Sequence, residues 1–532
     1  MEPRHFQHWP PDMPRGLALP PLRLHDLLAR AAARLPDKPA TVFEGVTLSY
    51  REILRRSEAL AGHLQRACGV RKGDRVLLDL QNGHDYVVAL FGILRADAVA
   101  VPLSPANVAA ELKHYLQDSG AKVSVVEGDV AARFAGLPLE HLVVMDGFRG
   151  GAEASPSTAR SDDLCLLPYT SGSTGQPKGC MHTHASCLHN IAGAALWKHI
   201  GEDTVALATA PFFHVTGLIH SFLATVYAGG TMVIQRRWDP LAAARLVARH
   251  RCTHWDNVPT MVVDLLSHPQ ALEHDVSSLK WIFGGGAAMP EAIAQKLFEL
   301  CGVRYVEGYG LTETISQTHI NPPQNPKQQC LGIPTFDTEA LVVDPESLRI
   351  LGPGEQGEIL VRGPQLLRGY WGNERATRES RVEVGGKEYF RTGDLGRTDA
   401  DGYYFISDRL KRMINAAGFK VWPAEVEAAM YQHPAIKECC VIAAPDERRG
   451  ETVKAVVVLR PGAAASAQEI VDWARGRMAA YKAPRLVAFT DALPRTGSGK
   501  LMWRALQEQE WGIPGGKTAP GGSARGQARQ KL

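Results

Sequence analysis

The 532-residue sequence is long enough for more than one folding unit, and its 45% hydrophobic and 22% charged residues are typical of a globular protein. Its 59 basic and 56 acidic side chains nearly cancel, which argues against nucleic acid as a partner. The nine cysteines contain no C-x-x-C pair, so we expect no disulfide framework and predict a location in a reducing cytoplasm.

Helical and strand patterns alternate from the amino terminus to about residue 410. The first residues, MEPRHFQHWPP, lack the apolar core of a signal peptide. The sequence contains no run of about 18 apolar residues, so it predicts no membrane span. Apolar residues at helical spacing begin at Leu24. TVFEGVTLSY is typical of a β-hairpin, and Ser49 with Glu52 predicts a capping box at the start of the next helix. With RVLLDL, VVALFGILRA, TVALATAP and TMVIQ following, this order predicts an α/β fold with largely parallel sheets.

The alternation restarts on a smaller scale after residue 410. A helix (AEVEAAMYQ), two strands (ECCVIAAP and TVKAVVVL), a helix (AQEIVDWARGRMAAY) and a strand (RLVAF) suit a compact α+β domain of roughly a hundred residues. Segments 148–162 and 321–331 are polar and are predicted to be loops. The sequence therefore predicts domains at 1–410 and 411–510, followed by a disordered, basic, Gly-rich tail at 511–532.

The segment YTSGSTGQPKG, from Tyr169 to Gly179, has the composition of a phosphate-binding loop. Its six small or hydroxyl-bearing residues let the backbone curl and point N–H groups inward, and Lys178 adds a cationic donor. Neither this segment nor GSGKL at 497–501 fits the P-loop pattern, which disfavours a P-loop ATPase. The nearby Cys180, His182 and His184 lack a second ligand cluster, which disfavours a zinc site.

This segment also closely resembles the phosphate loop of the adenylate-forming superfamily, which includes the acyl- and aryl-CoA synthetases. Six further segments match that family in its own order: PFFHVTG at 211–217, GGGAAMP at 284–290, EGYGLTET at 307–314, YFRTGDLG at 389–396, SDRLKRMINAAGFKVWPAEVE at 407–427, and LPRTGSGKL at 493–501. The resemblance implies a large multi-sheet amino-terminal domain that binds ATP and the acid. It also implies a small, mobile α+β carboxy-terminal domain that carries a catalytic lysine.

The resemblance implies an ATP site and the metal that accompanies it. Thr312 would contact the α-phosphate, and Glu313 would bind Mg²⁺, with Thr174 of the phosphate loop as a second contact to the metal. A carboxylate oxygen is the kind of ligand that this cation requires. The ATP-binding residues implied are Thr170, Ser171, Gly172, Ser173, Thr174, Gly175, Lys178, Gly285, Gly286, Ala287, Tyr309, Asp394 and Arg409.

The small domain would supply the groups that change between the two half-reactions. Lys500 matches the lysine that bridges the carboxylate and the α-phosphate, and Lys411 matches the hinge. The loop with Ala417, Gly418 and Phe419 matches the lining of the CoA tunnel, although many relatives carry Gly-Gly where this chain has Ala417–Gly418. ATP, Mg²⁺ and CoA are therefore the expected cofactor and co-substrates.

The acid would bind near His214, Gly217, Gly286 and Gly308. No Arg or Lys lies in the matching segments 212–220, 255–262, 284–287 and 307–319, which disfavours a dicarboxylic acid, with His319 a weak exception. The hinge region most resembles the fatty-acid–CoA ligase branch, so a medium- or long-chain fatty acid is the first expectation. A benzoate-like or cinnamate-like aryl acid is the alternative.

Several properties stay open at this stage. The short stretch after Lys500 is too small for a fused carrier domain, so free CoA is expected as the acceptor, with a separate carrier protein as the alternative. A non-catalytic nucleotide-binding protein on the same fold is the alternative from a different class. Peripheral association with a membrane and the oligomeric state, of which a homodimer is one option, are not determined by the sequence.

Overall fold

The computed structural model describes residues 3–150, 153–170, 177–409, 412–416, 419–446, 450–495 and 501–512. The amino-terminal third alternates strands with helices, as predicted. Its elements are α1 (Leu24–Arg34), β1 (Pro39–Phe43), β2 (Val46–Ser49), α2 (Tyr50–Arg66), β3 (Arg75–Asp79), α3 (His84–Arg95), β4 (Val99–Pro102), α4 (Ala109–Ser119), β5 (Val123–Val126) and β6 (His141–Val144).

The middle of the chain contains the strands and turns of the candidate site. It forms β7 (Leu164–Leu166), β8 (Tyr169–Thr170), β9 (Lys178–Gly179), β10 (His182–Thr183), α5 (His184–Trp197), β11 (Val205–Ala208), a π-helical segment (Gly217–Leu223), α6 (Ala224–Ala228), β12 (Thr231–Ile234), α7 (Pro240–His250), β13 (His254–Asn257), α8 (Pro259–Leu266), β14 (Trp281–Gly285), α9 (Glu291–Cys301), β15 (Tyr305–Leu311), β16 (Ser316–Ile320) and β17 (Ile333–Pro334).

The remaining elements begin with a small antiparallel sheet. They are β18 (Glu339–Val343), β19 (Gly357–Arg362), α10 (Glu374–Glu379), β20 (Arg381–Val384), β21 (Lys387–Thr398), β22 (Tyr404–Arg409), β23 (Ile414–Ala416), β24 (Phe419–Val421), α11 (Pro423–Met430), β25 (Ile436–Asp446), β26 (Gly450–Leu459), α12 (Ala467–Arg475), β27 (Leu486–Phe489) and α13 (Trp503–Glu510). Within the described residues, short 3₁₀ turns lie at Arg4–His8, Ala131–Phe134, Ala271–Glu273 and Thr312–Thr314.

The sheets confirm the predicted α/β class. A nine-stranded sheet has the order β17-β16-β15-β14-β13-β11-β12-β1-β2, and its central strands β1, β12, β11, β13, β14 and β15 are parallel. A six-stranded sheet has the order β10-β7-β4-β3-β5-β6 and is parallel except at β10. Parallel strands buried on both faces explain why runs such as RVLLD and VAVP are almost continuously apolar.

The chain divides into two compact units. The first consists of Met1–Thr392 and Gly396–Ile406, and the second of Gly393–Leu395 and Ser407–Leu532. The second unit is built on a sheet of order β24-β23-β26-β25, with β27 paired to β26, and α11 and α12 contribute to its apolar core. This order matches the small α+β pattern expected from the sequence, except that α12 ends at Arg475, where Gly476 follows.

Local sequence signals are realised in the first unit. The hairpin turns at Glu44 and Gly45, both with positive φ, and Ser49 and Glu52 exchange the hydrogen bonds of a capping box before α2. Helix α3 is apolar on nearly every face because it is buried between α2 and the six-stranded sheet. No helix in the described ranges has both the length and the apolar character that crossing a membrane requires.

Candidate active site

The carboxyl ends of β13, β14 and β15 meet at one edge of the nine-stranded sheet. Asn257 is level with Gly284, which is level with Glu307, and Gly285 is level with Gly308. In open α/β sheets, ligands bind beyond the carboxyl ends of the parallel strands. Four residues predicted from separate motifs are therefore neighbours here or in the loop that follows β14: Gly285, Gly286, Gly308 and Tyr309.

Glycines at this edge are required by close backbone approach. A Cβ on Gly284 would lie 1.8 Å from the Tyr305 hydroxyl oxygen, and one on Gly310 would lie 1.7 Å from the Ser316 carbonyl oxygen. Gly286 has a φ of 80°, which side chains other than glycine rarely adopt. The glycines thus allow the backbone segments at the sheet edge to pack closely without a side-chain clash. Gly286 and Ala287 are exposed beyond that edge.

The loop after β14 is tied to β15 by Glu307. Its carboxylate is buried and accepts a hydrogen bond of 2.8 Å from the Met289 backbone N–H. Burial raises the pKa of Glu307 above its ordinary value, and the backbone donors oppose that rise. Sequence reasoning assigned Glu307 no role, and the residue sets the position of the Gly286–Ala287 loop.

The turn after β15, which carries Thr312 and Glu313, is held in a strained conformation. Ile315 has a φ of 46° and Ser316 a φ of 125°, both unusual for side-chain-bearing residues. The Asn190 side-chain amide on α5 donates to the carbonyls of Thr314 at 3.1 Å and Gln317 at 2.9 Å. These buried hydrogen bonds hold the turn in place, and such support from the surrounding structure is what allows a strained backbone to persist.

His182 supports the same turn from β10. Its Nε2 lies 2.8 Å from the Thr312 carbonyl oxygen, and burial lowers the pKa of the imidazole to about 4. The ring is therefore neutral at pH 7 and donates its Nε2–H to that carbonyl. His184 accepts the Leu24 backbone N–H at Nδ1 over 3.0 Å. Both histidines of the Cys180–His184 run therefore engage backbone groups.

Lys178, Tyr370 and Glu313 form a compact group beside this turn. The Tyr370 hydroxyl donates to Glu313 Oε1 at 2.9 Å, and Lys178 Nζ lies 4.4 Å from the centre of the Tyr370 ring. Burial, and then the charge of Glu313, raise the pKa of Tyr370, so the phenol keeps its proton. The structure thus brings together two predicted residues from distant motifs. Tyr370 itself was not predicted, because no local pattern marks it.

The two sides of the predicted phosphate loop are placed next to this group. Thr170 pairs with Lys178 across β8 and β9, and Trp371 donates its backbone N–H to the Gly179 carbonyl at 2.8 Å. In the described ranges no group of three or more His, Cys, Asp or Glu residues could enclose a metal ion. Mg²⁺ usually takes one or two carboxylates together with substrate phosphates, so the single carboxylate of Glu313, beside the two flanks of the predicted phosphate loop, fits that cation.

The segment predicted to bind the acid leads into the π-helical turn. His214 is partly buried before it, and a Cβ on Gly217 would lie 2.3 Å from the Pro211 carbonyl oxygen. Asn82 fixes the preceding loop, donating to the Ala210 carbonyl and accepting from the Phe212 N–H. π-Helical turns are rare and are frequent at functional sites.

Two histidines in the segments predicted to bind the acyl group are buried and neutral. Burial lowers the pKa of His319 to about 3, and the ring Nδ1 lies 2.9 Å from the Thr318 hydroxyl. Burial and the charge of Lys198 lower the pKa of His220, whose Nε2 lies 2.8 Å from the Ser316 hydroxyl. Neither imidazole supplies a cation for a second carboxylate at pH 7.

The other predicted residues fall in the second unit or outside the described ranges. Asp394 is fully buried on β21 in the second unit. Only the backbone is described for Arg409 at the end of β22 and Phe419 at the start of β24. The predicted residues outside the described ranges are Ser171, Gly172, Ser173, Thr174, Gly175, Lys411, Ala417, Gly418 and Lys500.

Comparison with protein families gives matches over both units. Residues 28–371 match the model described as "AMP-binding enzyme", and residues 425–500 match "AMP-binding enzyme C-terminal domain". A protein named feruloyl-CoA synthase from Amycolatopsis sp is 39% identical over 482 residues, covering 89% of this chain and 96% of that protein. A long-chain-fatty-acid–CoA ligase from Bacillus subtilis (strain 168) is 34% identical over 550 residues, covering 94% and 97%.

Comparison with solved structures also gives matches over most of the chain. ATP-bound MatB from Rhodopseudomonas palustris superposes with a TM-score of 0.83 at 29% identity, covering 92% of this chain and all of that one. The anthranilate CoA ligase AuaEII in complex with anthranoyl-AMP superposes with a TM-score of 0.79 at 29% identity, covering 93% and 97%. The chain therefore belongs to the AMP-binding enzyme family, as an AMP-forming acid–CoA ligase that uses ATP, Mg²⁺ and CoA.

Proposed function

We propose that the carboxyl edge of β13, β14 and β15 is where the acid and ATP react. An oxygen of the substrate carboxylate attacks the α-phosphorus of ATP and pyrophosphate leaves, which gives an acyl-adenylate. The sulfur of CoA then attacks the acyl carbon, and AMP leaves as the thioester forms. The convergence of Lys178, Tyr370 and Glu313 beside the phosphate loop carries this proposal, because it sets a cation and an anion next to a phosphate-binding backbone.

Each predicted side chain takes a role defined by its chemistry. Lys178 and the loop 170–175 contact the phosphates, Thr312 contacts the α-phosphate, and Glu313 holds Mg²⁺, which neutralises phosphate charge when bound. Tyr309 and the Gly285–Ala287 loop contact the adenine, while Asp394 and Arg409 contact the ribose and the phosphates. The nucleophile is already an anion, so positioning and charge stabilisation dominate the barrier.

The second unit supplies Lys500 to the first half-reaction and the tunnel for CoA to the second. In this proposal residues 1–410 and 411–510 act as the two domains, and rotation at Lys411 exchanges Lys500 for the loop at Ala417–Phe419. The family match to residues 425–500 supports this role, since it covers the segment that ends at the catalytic lysine.

We assign a hydroxylated aryl acid, of the ferulate type, as the first candidate substrate. The relative named feruloyl-CoA synthase is 39% identical, compared with 34% for the fatty-acid ligase from Bacillus subtilis. His220 lies in a predicted acyl-binding segment, and its buried Nδ1 has no hydrogen-bond partner among the described residues. An alkyl chain packed against that nitrogen would leave it unsatisfied, at about 1–3 kcal/mol, whereas a phenol hydroxyl can pair with it as donor or as acceptor, whichever tautomer the imidazole adopts.

A medium- or long-chain fatty acid, the first expectation from the sequence, becomes the second candidate. The fatty-acid ligases of Bacillus subtilis and Escherichia coli O157:H7 match this chain over 94% and 92% of its length, which supports that reading. The apolar character of the segment FFHVTGLIH suits either an alkyl chain or an aromatic ring.

The test is ATP- and CoA-dependent AMP release with ferulate, coumarate, cinnamate, benzoate, octanoate, palmitate and malonate. We expect the largest kcat/KM for ferulate or coumarate, and a loss of about 10-fold or more for cinnamate, which lacks the hydroxyl. An optimum at octanoate or palmitate would replace the aryl proposal with the fatty-acid one. Release of AMP without any CoA requirement would point to a carrier protein as the acceptor.

A further inference from the structure

Tyr370 stands between a cation and an anion at the proposed ATP site. Its hydroxyl donates to Glu313 Oε1 at 2.9 Å, and its ring face lies 4.4 Å from Lys178 Nζ. Lys178 and Glu313 make no ion pair with each other within 4.0 Å, although both lie in the described part of the chain. Each of these two charged side chains therefore contacts Tyr370 and not the other charged side chain.

The backbone around Tyr370 fixes the ring in this position. Residue 370 pairs with Cys180 in an isolated β-bridge, and Met181 donates its N–H to the Gly369 carbonyl at 3.0 Å. The Tyr370 N–H donates to the Thr377 hydroxyl at 2.9 Å, and only 6% of the residue is exposed. Tyr370 is thus held by the backbone between β9 and β10 and by Thr377 of α10, independently of its contacts with Glu313 and Lys178.

The two contacts of Tyr370 strengthen each other. A hydroxyl that donates to a carboxylate increases the electron density of its ring, and a richer ring attracts an ammonium more strongly. Among the described residues, Tyr370 is the hydrogen-bond partner of the Glu313 carboxylate, and it engages Oε1. The arrangement orients both charges without neutralising either, whereas a direct ion pair would have to be broken before the nucleotide could bind.

We propose that Tyr370 is a positioning residue for MgATP: it holds Lys178 and Glu313 apart, with Lys178 directed to phosphate and Glu313 oriented for the cation. This inference rests on the roles proposed above for those two residues. The hydroxyl and the ring of Tyr370 have separate roles. The hydroxyl orients the metal-binding carboxylate, and the ring supports the phosphate-binding ammonium.

The test is isothermal titration of the full-length enzyme with ATP, with Mg²⁺ present and with EDTA. Tyr370→Phe removes only the hydroxyl, so we expect the Kd for MgATP to rise about 5- to 30-fold while the Kd for metal-free ATP changes less than about 2-fold. Tyr370→Leu also removes the ring, and it should weaken metal-free ATP a further 2- to 5-fold, roughly the value of one cation–π contact.

Tyr389→Phe is a matched control, because the Tyr389 hydroxyl also donates to a glutamate, Glu339, at 3.1 Å. It should leave both Kd values unchanged. A purely structural role for Tyr370 would instead weaken ATP binding equally with and without Mg²⁺ and lower the melting temperature, and that outcome would overturn the proposal. If Tyr370→Leu does not fold, the Tyr370→Phe titrations alone decide.

Glu313→Gln separates the failure of this inference from failure of the proposed site. If Glu313→Gln leaves the Mg²⁺ enhancement of ATP binding intact, the metal role of Glu313 is wrong and the role of Tyr370 is overturned with it. If Glu313→Gln abolishes the enhancement while Tyr370→Phe binds MgATP like the parent enzyme, only the positioning role is overturned.

Discussion

A buried ion pair beneath the candidate site gives a prediction with a defined magnitude. The Lys198 ammonium, directly after α5, and the Asp256 carboxylate on β13 form an ion pair, and the two residues are 3% and 5% exposed. The same ammonium lies 4.9 Å from the centre of the Phe283 ring on β14, the strand that leads into the glycine loop. Asp256→Asn keeps the volume and removes the negative charge, so a buried ammonium would lose its partner.

The expected cost follows from that burial. Removing one partner of a buried pair costs about 3–5 kcal/mol, because the remaining charge stays desolvated. At a typical unfolding entropy, this lowers the melting temperature of a unit of about 400 residues by about 4–6 °C. Asp37→Asn is the control. Its pair with Arg51 is 82% and 64% exposed, and an exposed pair of this kind contributes little to stability.

The pH dependence of the melting temperature gives a second test of this buried ion pair. Burial lowers the pKa of Lys198, and Asp256 opposes that shift, so Asp256→Asn lowers this pKa further. A folded-state pKa below the ordinary 10.5 makes stability rise with pH between the two values. Differential scanning fluorimetry should therefore show that the loss of melting temperature caused by Asp256→Asn becomes smaller from pH 7 to pH 10. A loss of melting temperature no larger than that caused by Asp37→Asn would refute the reasoning.

Two further predictions concern catalysis. Lys500→Ala should slow acyl-adenylate formation about 100- to 1000-fold while sparing thioester formation from preformed adenylate, measured in separate half-reaction assays; equal losses would remove its assigned role. Gly310→Ala would place a Cβ 1.7 Å from the Ser316 carbonyl oxygen, so it should destabilise the turn by about 1–3 kcal/mol and depress ATP–pyrophosphate exchange. Gly302→Ala meets no atom within 4 Å and carries only the strain of its φ of 71°, about 1–2 kcal/mol, so it should preserve that exchange, and a similar loss there would contradict the explanation.

The fold was predictable because its signals are local or repetitive. The hairpin at Glu44–Gly45, the capping box at Ser49 and the buried helix α3 each arise from patterns within a dozen residues. The π-helical turn at Gly217–Leu223 was not predictable, since its apolar sequence fits an ordinary buried helix equally well. Its geometry depends on the close approach of Gly217 to the Pro211 carbonyl, which is a packing effect.

The candidate site also contains residues that the sequence predicts and supporting contacts that it does not. The resemblance identified Lys178, Glu313 and Gly308 from motifs, and the structure shows Lys178 and Glu313 sharing one neighbour, Tyr370. The supporting contacts join residues far apart in the chain. His182 contacts the Thr312 carbonyl across 130 positions, and Tyr370 contacts Glu313 across 57. No local pattern encodes such contacts, because they arise only when distant strands pair.

The titrating groups around the site lead to one mechanistic conclusion. The buried histidines His182, His220 and His319 all have pKa values lowered by burial, so they are neutral at pH 7 and act as hydrogen-bonding groups. Charge is left to Lys178 and Glu313, which are partly exposed and separated by a tyrosine ring. Adenylation of a carboxylate needs no proton transfer, only fixed charges around phosphate and metal. A site whose histidines are held neutral and whose charges are held apart suits that chemistry better than acid–base catalysis.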